Sequence, residues 1–323
     1  MDCLMDKIGD AIAPIAQKMT ANRYLSAIKE GFFGSTPILI AGSIFLLFTS
    51  LPFNGYTEFM ESTFGAGWMD FFYLPYQVSF KLMAIFVVIG MAKSLANYYK
   101  VDSKLAIALS FVGILLLTPV IVTVENVKGL PLDNFSAQGL FVCMIAAALA
   151  VEIYRWCVQK GFTIKMPDSV PQNVSGAFAA VIPAFLIILL FNILRMGFAM
   201  TDFGSAQTFV FTILQQPLQS LGGTLPATIL VLLVEAVIWC FGLHGSSIVS
   251  SVMNPIWFAQ SAENLAAFEA GLAMPHIVNY QFISFFVKLG GVGATLSLTL
   301  LCLFKAKSDQ YRALAVSYTH LTL

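Results

Sequence analysis

The residues best suited to chemistry gather late in this 323-residue chain. The densest run is Glu235-Ala-Val-Ile-Trp239-Cys-Phe-Gly242-Leu-His244-Gly245-Ser246-Ser247, followed by Asn254-Pro255-Ile-Trp257. Glu235 stands in a long apolar stretch. At membrane depth a carboxylate costs about 2.5–3.5 kcal/mol on insertion scales, so it must be paired, protonated or functional. The glycines flanking His244 let the backbone bend and a ligand approach closely, and the imidazole can exchange hydrogen bonds with a hydroxyl near neutral pH. Trp239 can stack on the apolar face of a sugar ring. A second run, Pro275-His276-Ile-Val-Asn279-Tyr280-Gln281-Phe282, leads to Lys288-Leu-Gly290-Gly291-Val-Gly293-Ala-Thr295. Its Asn and Gln amides suit hydroxyl-rich ligands. The Gly-Gly-x-Gly reads better as close helix packing than as a phosphate cradle, because no Lys-Ser/Thr follows it.

Composition fixes the solvent in which these groups sit. Charged residues make up 11% and apolar residues 58%, with a mean hydropathy of +0.83. A soluble domain carries roughly 25% charge, so a soluble globule and a disordered chain are both excluded. Formal charge is zero, with 17 basic and 17 acidic residues, and no polybasic field points to nucleic acid. Cys3, Cys143, Cys157, Cys240 and Cys302 lack any C-x-x-C spacing, and neither a metal site nor a cofactor is expected. Nucleotide-hydrolysis, zinc-protease and serine-hydrolase motifs are missing from the sequence.

Uncharged runs of membrane-crossing length cover Gly31–Phe53, Leu105–Val124, Phe135–Val151 and Ser169–Leu194, and one more span is expected near Tyr76–Ala96. Backbone groups there have no water to bond, so the fold class is all-α, a polytopic transmembrane helical protein. The first thirty residues lack the apolar core of a signal peptide. Within them Met5, Ile8, Ile12, Ile15 and Met19 form a stripe that predicts an amphipathic helix, lying on the membrane surface or packed on protein. Lys and Arg counts in successive connections run 4, 0, 3, 1, 3, 1, which places the N-terminus in the cytoplasm and gives five spans by Leu194.

After Arg195 the character changes. No Lys or Arg occurs from residue 196 to 287, while Pro217, Pro226, Pro255 and Pro275 and several glycines interrupt the apolar runs. Broken helices at membrane depth line protein or water, and transporters build midplane sites from them. The chain therefore divides into a scaffold half, 1–195, and a substrate half, 196–315.

Trp239-Cys-Phe-Gly-Leu-His244-Gly resembles the W-x-F-G-I-H-G element of the membrane-embedded IIC permease components of the bacterial phosphotransferase system, lactose/cellobiose (diacetylchitobiose) family. The opening Asn22-Arg-Tyr-Leu-Ser-Ala-Ile-Lys-Glu-Gly-Phe-Phe, with Pro37-Ile-Leu-Ile-Ala-Gly42-Ser43, is similar to that family's start, and Phe285-Phe-Val-Lys-Leu-Gly-Gly-Val-Gly-Ala-Thr-Leu to its F-x-x-x-G-G-x-G-A-T-L element. The resemblance implies the phosphotransferase IIC fold with re-entrant hairpins, a homodimer formed through the first five spans, and location in the bacterial cytoplasmic membrane. It also implies a β-linked disaccharide such as cellobiose, diacetylchitobiose or lactose, held by the later spans. A soluble phospho-IIB partner, fed by IIA, would phosphorylate the sugar. The family histidine maps to His244, expected to contact the sugar and position or activate its hydroxyl, with Trp239, Asn254 and Asn279 as further sugar ligands. The family's Asn-x-x-Glu-Pro glutamate has no counterpart, so the chain is expected to be C-terminally truncated, with 316–323 a non-native tail.

Two other readings remain open at this stage. A proton-coupled secondary transporter would use Glu235 as its proton carrier. A membrane-embedded acyltransferase would use His244, but Glu235 lies nine residues upstream, about 13 Å away along a straight helix.

Overall fold

A computed structural model describes residues 21–49, 51, 53–122, 128–167, 170–240, 245–288, 295–310 and 312–313, together with Pro14 and Lys18. The stripe Met5, Ile8, Ile12, Ile15 and Met19 lies outside the described residues. The described residues fall into two compact units, Gln17–Leu218 and one built from Gln219–Leu323.

The first unit opens with α1 (Arg23–Thr49), a short α2 (Tyr56–Phe64), then α3 (Trp68–Lys81), α4 (Met83–Tyr99) and α5 (Ser103–Leu117). A two-residue antiparallel ladder pairs β1 (Ile121–Val122) with β2 (Lys128–Gly129) before α6 (Leu140–Lys160), α7 (Gln172–Ala179) and α8 (Val181–Ala199). A short α9 (Ala206–Val210) runs on through a π-helical turn, Phe211–Gln215.

Three of the expected spans correspond to single helices of crossing length, with shifted ends. Arg23–Thr49, Leu140–Lys160 and Val174–Ala199 are each long and apolar enough to cross a membrane. The span expected near Tyr76–Ala96 is a pair, α3 and α4, bent by 43° at Leu82. The run Leu105–Val124 folds differently from expectation: its helix stops at Leu117, and Ile121–Val122 joins the ladder. Pro119 explains the stop, since it lacks the N–H a continuing helix needs and drives Thr118 to extended backbone.

The outward faces of these helices are apolar. On α1, Phe33, Ile40, Ile44 and Leu47 are exposed while Ala27, Gly31, Phe32, Ser35, Leu39 and Gly42 are buried. On α8, Phe185, Ile188, Leu189 and Ile193 face outward, opposite Ile187 and Phe191. Both sides of such helices are apolar because their solvent is hydrocarbon, so burial between them selects for close fit.

That fit rests on small residues. Glycine at 90 lets α4 lie directly on α1, since a Cβ there would sit 2.8 Å from the Gly31 Cα. A Cβ at Gly31 would come within 2.5 Å of the Val87 carbonyl oxygen. Gly42 meets Ser79 on α3 in the same way, and Gly113 on α5 receives the Phe191 ring of α8.

Polar groups in this unit are gathered, although Arg23 Nε, Arg155 Nε and Gln207 Oε1 are buried without a hydrogen bond among the described residues. Glu152 on α6 accepts from Tyr24 Oη at 2.7 Å and from the Tyr99 hydroxyl, and pairs with Arg155 Nη2 at 3.0 Å. Arg23 lies 3.9 Å from the same carboxylate, and both arginines lie over the Tyr99 ring. This cluster ties the start of α1 to the ends of α4 and α6. Gln207 donates to Thr118 at 3.2 Å and Gln215 to the Ala137 carbonyl at 3.0 Å. Gly90→Val should force α1 and α4 apart and destabilise the unit by about 1–3 kcal/mol. The check is a lower melting temperature of the detergent-purified protein, while Gly34→Ala, whose Cβ meets nothing within 4 Å, should leave it unchanged.

The second unit contains α10 (Leu225–Cys240), α11 (Gly245–Glu269), the short α12 (Tyr280–Phe282) with a π-helical turn Ile283–Val287, and α13 (Thr295–Lys305). A Cβ at Gly223 would clash with Gln260 Nε2, which donates to the Gln219 carbonyl at 2.9 Å.

Candidate functional site

The site grows from Glu235, whose position on α10 leaves it 3% exposed. Its carboxylate is paired. Lys288 Nζ lies 3.1 Å from Oε1, and the Ser246 hydroxyl donates to the same oxygen in a short hydrogen bond. Ser246 in turn accepts from Trp239 Nε1 at 3.4 Å. The resulting chain runs from the indole through the hydroxyl to the carboxylate, with the ammonium on the same carboxylate oxygen. Oε2 is buried and finds no hydrogen-bond partner among the described residues.

Local sequence explains how these groups meet. Glu235 and Trp239 are four residues apart and share a face of α10. Ser246 is the second residue of α11, and Gly245 before it packs so tightly that a Cβ would fall 2.4 Å from the Glu235 carbonyl oxygen and 2.8 Å from Trp239 Cδ1. Only glycine allows that approach. Lys288 ends the π-helical turn. The two helices and this turn thus converge on one carboxylate.

His244, expected at the centre of the site, lies outside the described residues, as do the rest of 241–244 and the Gly-rich stretch 289–294. Trp239 is 38% exposed, so part of its ring is open to a ligand. Asn254 is half-buried on α11, just before Pro255, and its side chain makes no hydrogen bond to another described residue. Asn279 has local partners: its Oδ1 caps α12 by accepting from Phe282 N at 2.9 Å, and its Nδ2 donates to the His276 carbonyl at 3.4 Å. The structure therefore brings Glu235 and Trp239 together and sets Asn279 in a helix cap.

Around that cap the loop before α12 is clamped to α11. Asn264 Nδ2 donates to the His276 carbonyl at 2.6 Å and its Oδ1 accepts from His276 N at 2.8 Å. The His276 ring meets Glu263 at 2.6 Å, Tyr280 stacks on Phe258 at 4.0 Å, and Ser261 bonds Gln281 and the Tyr280 amide.

Sequence reasoning missed Lys288 and Ser246 as site residues. A signal for Lys288 existed: it is the first cation after Arg195, and a buried acid in an apolar run needs one. Ser246 and Asn264 carried no such signal, because their roles come from folding.

A family profile described as "Phosphotransferase system, EIIC" matches residues 29–320. This chain belongs to that family. It is a sugar-transporting IIC subunit of the phosphotransferase system, a multi-pass membrane protein with the all-α IIC fold. The "Putative permease IIC component YwbA" of Bacillus subtilis (strain 168) is 40% identical over 314 residues, covering 94% of this chain and 71% of that protein. The "PTS system cellobiose-specific EIIC component" of Geobacillus stearothermophilus is 38% identical over 325 residues, covering 97% of this chain and 72% of that one. Among solved structures, the transporter ChbC, the IIC component from the N,N'-diacetylchitobiose-specific phosphotransferase system, matches with a TM-score of 0.89 and 39% identity, covering 96% of this chain and 74% of that one.

For this IIC subunit, Asn264→Leu should release the 271–279 loop by removing both bonds to His276 at a buried position, a loss of about 1–3 kcal/mol. Limited proteolysis in detergent is expected to cut that loop faster than in the parent, with the first unit equally resistant in both.

Proposed function

We propose that this IIC subunit binds a β-1,4-linked disaccharide of the cellobiose or diacetylchitobiose type and presents it to a soluble phospho-IIB partner, which phosphorylates it. The observation that carries this reading is the agreement among relatives. The cellobiose-specific component is 38% identical, the "PTS system oligo-beta-mannoside-specific EIIC component" of Bacillus subtilis (strain 168) 36%, and diacetylchitobiose-specific ChbC 39%. The lactose-specific EIICB component of Lacticaseibacillus casei is only 28% identical. Lactose is accordingly the weaker ligand.

In this reading residues 196–315 form the substrate half and 1–195 the scaffold, through which two copies pair in the lipid. Trp239 stacks on a sugar ring, which its half-open face allows. His244 exchanges a hydrogen bond with the hydroxyl that receives the phosphoryl group, and Asn254 reaches a further hydroxyl. Asn279 joins them only by leaving its cap, so its contribution is the smallest. The N-terminus is cytoplasmic by the Lys and Arg pattern, which puts the Glu152 cluster on the side where IIB docks. Phosphorylation traps the product, since a phosphate of nearly two negative charges cannot recross hydrocarbon.

The proton-carrier reading of Glu235 loses support, because its carboxylate already holds an ammonium and a hydroxyl. Calorimetric titration of the purified chain should show cellobiose binding, weakened about tenfold by His244→Ala or Trp239→Ala, the loss of one buried contact. Unchanged affinity in His244→Ala would remove the imidazole from the site.

A further inference from the structure

Three segments of the second unit end at the same carboxylate. Glu235 sits near the end of α10, Ser246 at the start of α11, and Lys288 at the end of the π-helical turn. Residues 241–244 connect the first two. The short helix α12 and its turn have few other ties to α11: the Tyr280 ring stack, the Ser261 bonds and the Asn264 clamp all lie at their beginning. At their far end Lys288 ties them to Glu235 on α10.

Energetically such a pair is a poor source of stability. Removing two charges from water costs several kcal/mol per ion, and an apolar pair of similar volume is often as stable or more so. Here Oε2 also lacks a bond among the described residues, so even the carboxylate is incompletely satisfied. What an ion pair supplies and an apolar contact does not is a single geometry: the ammonium must stay on the Oε1 side while the hydroxyl of Ser246 holds the same atom.

We infer that Lys288 is a positioning residue for sugar binding: through Glu235 and Ser246 it sets the start of α11, which follows His244 directly in sequence. It touches no substrate itself. This inference rests on that functional reading for its consequence, while the geometry it asserts is measurable without any sugar. Gly245 gives the mechanism its stiffness. With no Cβ to spare against the Glu235 backbone carbonyl, the start of α11 lies directly on α10, and the carboxylate reaches it through Ser246.

The experiment compares the purified full chain with Lys288→Met, Lys288→Arg and the neutral pair Glu235→Gln/Lys288→Met. Lys288→Met strands a buried carboxylate and can simply misfold; the neutral pair removes that hazard and carries the test. Hydrogen–deuterium exchange without sugar is expected to rise about tenfold or more in peptides covering 236–250 of the neutral pair, with α4 unchanged, as for a local opening. Cellobiose affinity, titrated in parallel, should fall about 10- to 100-fold, the size of effect a displaced site produces, and Lys288→Arg should restore both readouts. Exchange at 236–250 in the neutral pair equal to the parent would overturn the inference, whatever the sugar does. Parental affinity in the neutral pair despite faster exchange would overturn the link to sugar binding. A parent chain that binds neither cellobiose nor diacetylchitobiose would instead overturn the functional reading, leaving the exchange result to judge the positioning role.

Discussion

A carboxylate inside an apolar, cation-free stretch cannot be left alone, and much of the second unit is arranged around that constraint. Glu235 has no charged neighbour in sequence for many residues on either side. Its compensation therefore comes from across the fold, from Lys288 and from the hydroxyl of Ser246. Meeting that need brings α10, the start of α11 and the π-helical turn onto one carboxylate. The aromatic ring of Trp239 joins the same network, so the chemistry proposed for the sugar and the neutralisation of the charge share atoms.

The first unit meets the equivalent problem differently. Glu152 sits at the ends of helices, 21% exposed, and gathers two arginines and two tyrosines. There the groups reach water and the apolar spans between remain clean, held by glycines that bring backbones into contact. The first unit thus keeps its charges at the rim, and the second holds a charge at its heart.

Much of this was legible in the residues. Uncharged runs announced the spans, because hydrocarbon tolerates nothing else, and the need for a partner at Glu235 followed from its surroundings. The bend at Leu82 was not legible: nothing marks it except Pro75 seven residues earlier, within α3. Pro119 is legible in principle as the end of α5, yet the uncharged run continues past it to Val124 and masks the stop. In the site, Asn279 illustrates the limit. An amide suited to a hydroxyl ligand is equally suited to a helix cap, and only the backbone at Tyr280–Phe282 distinguishes them. Lys288 was hidden for a different reason, since its distance of more than fifty residues from Glu235 in sequence gives no hint of contact.

The charge state of Glu235 is the point on which the account turns, and infrared absorption reads it directly. The difference spectrum between the parent chain and Glu235→Gln at neutral pH should show the loss of ionised carboxylate stretching bands, with the protonated-acid carbonyl region flat. A lost protonated-acid carbonyl band would show that the residue carries a proton instead of an ion-pair partner. The arrangement of the second unit around Lys288 would then be contradicted.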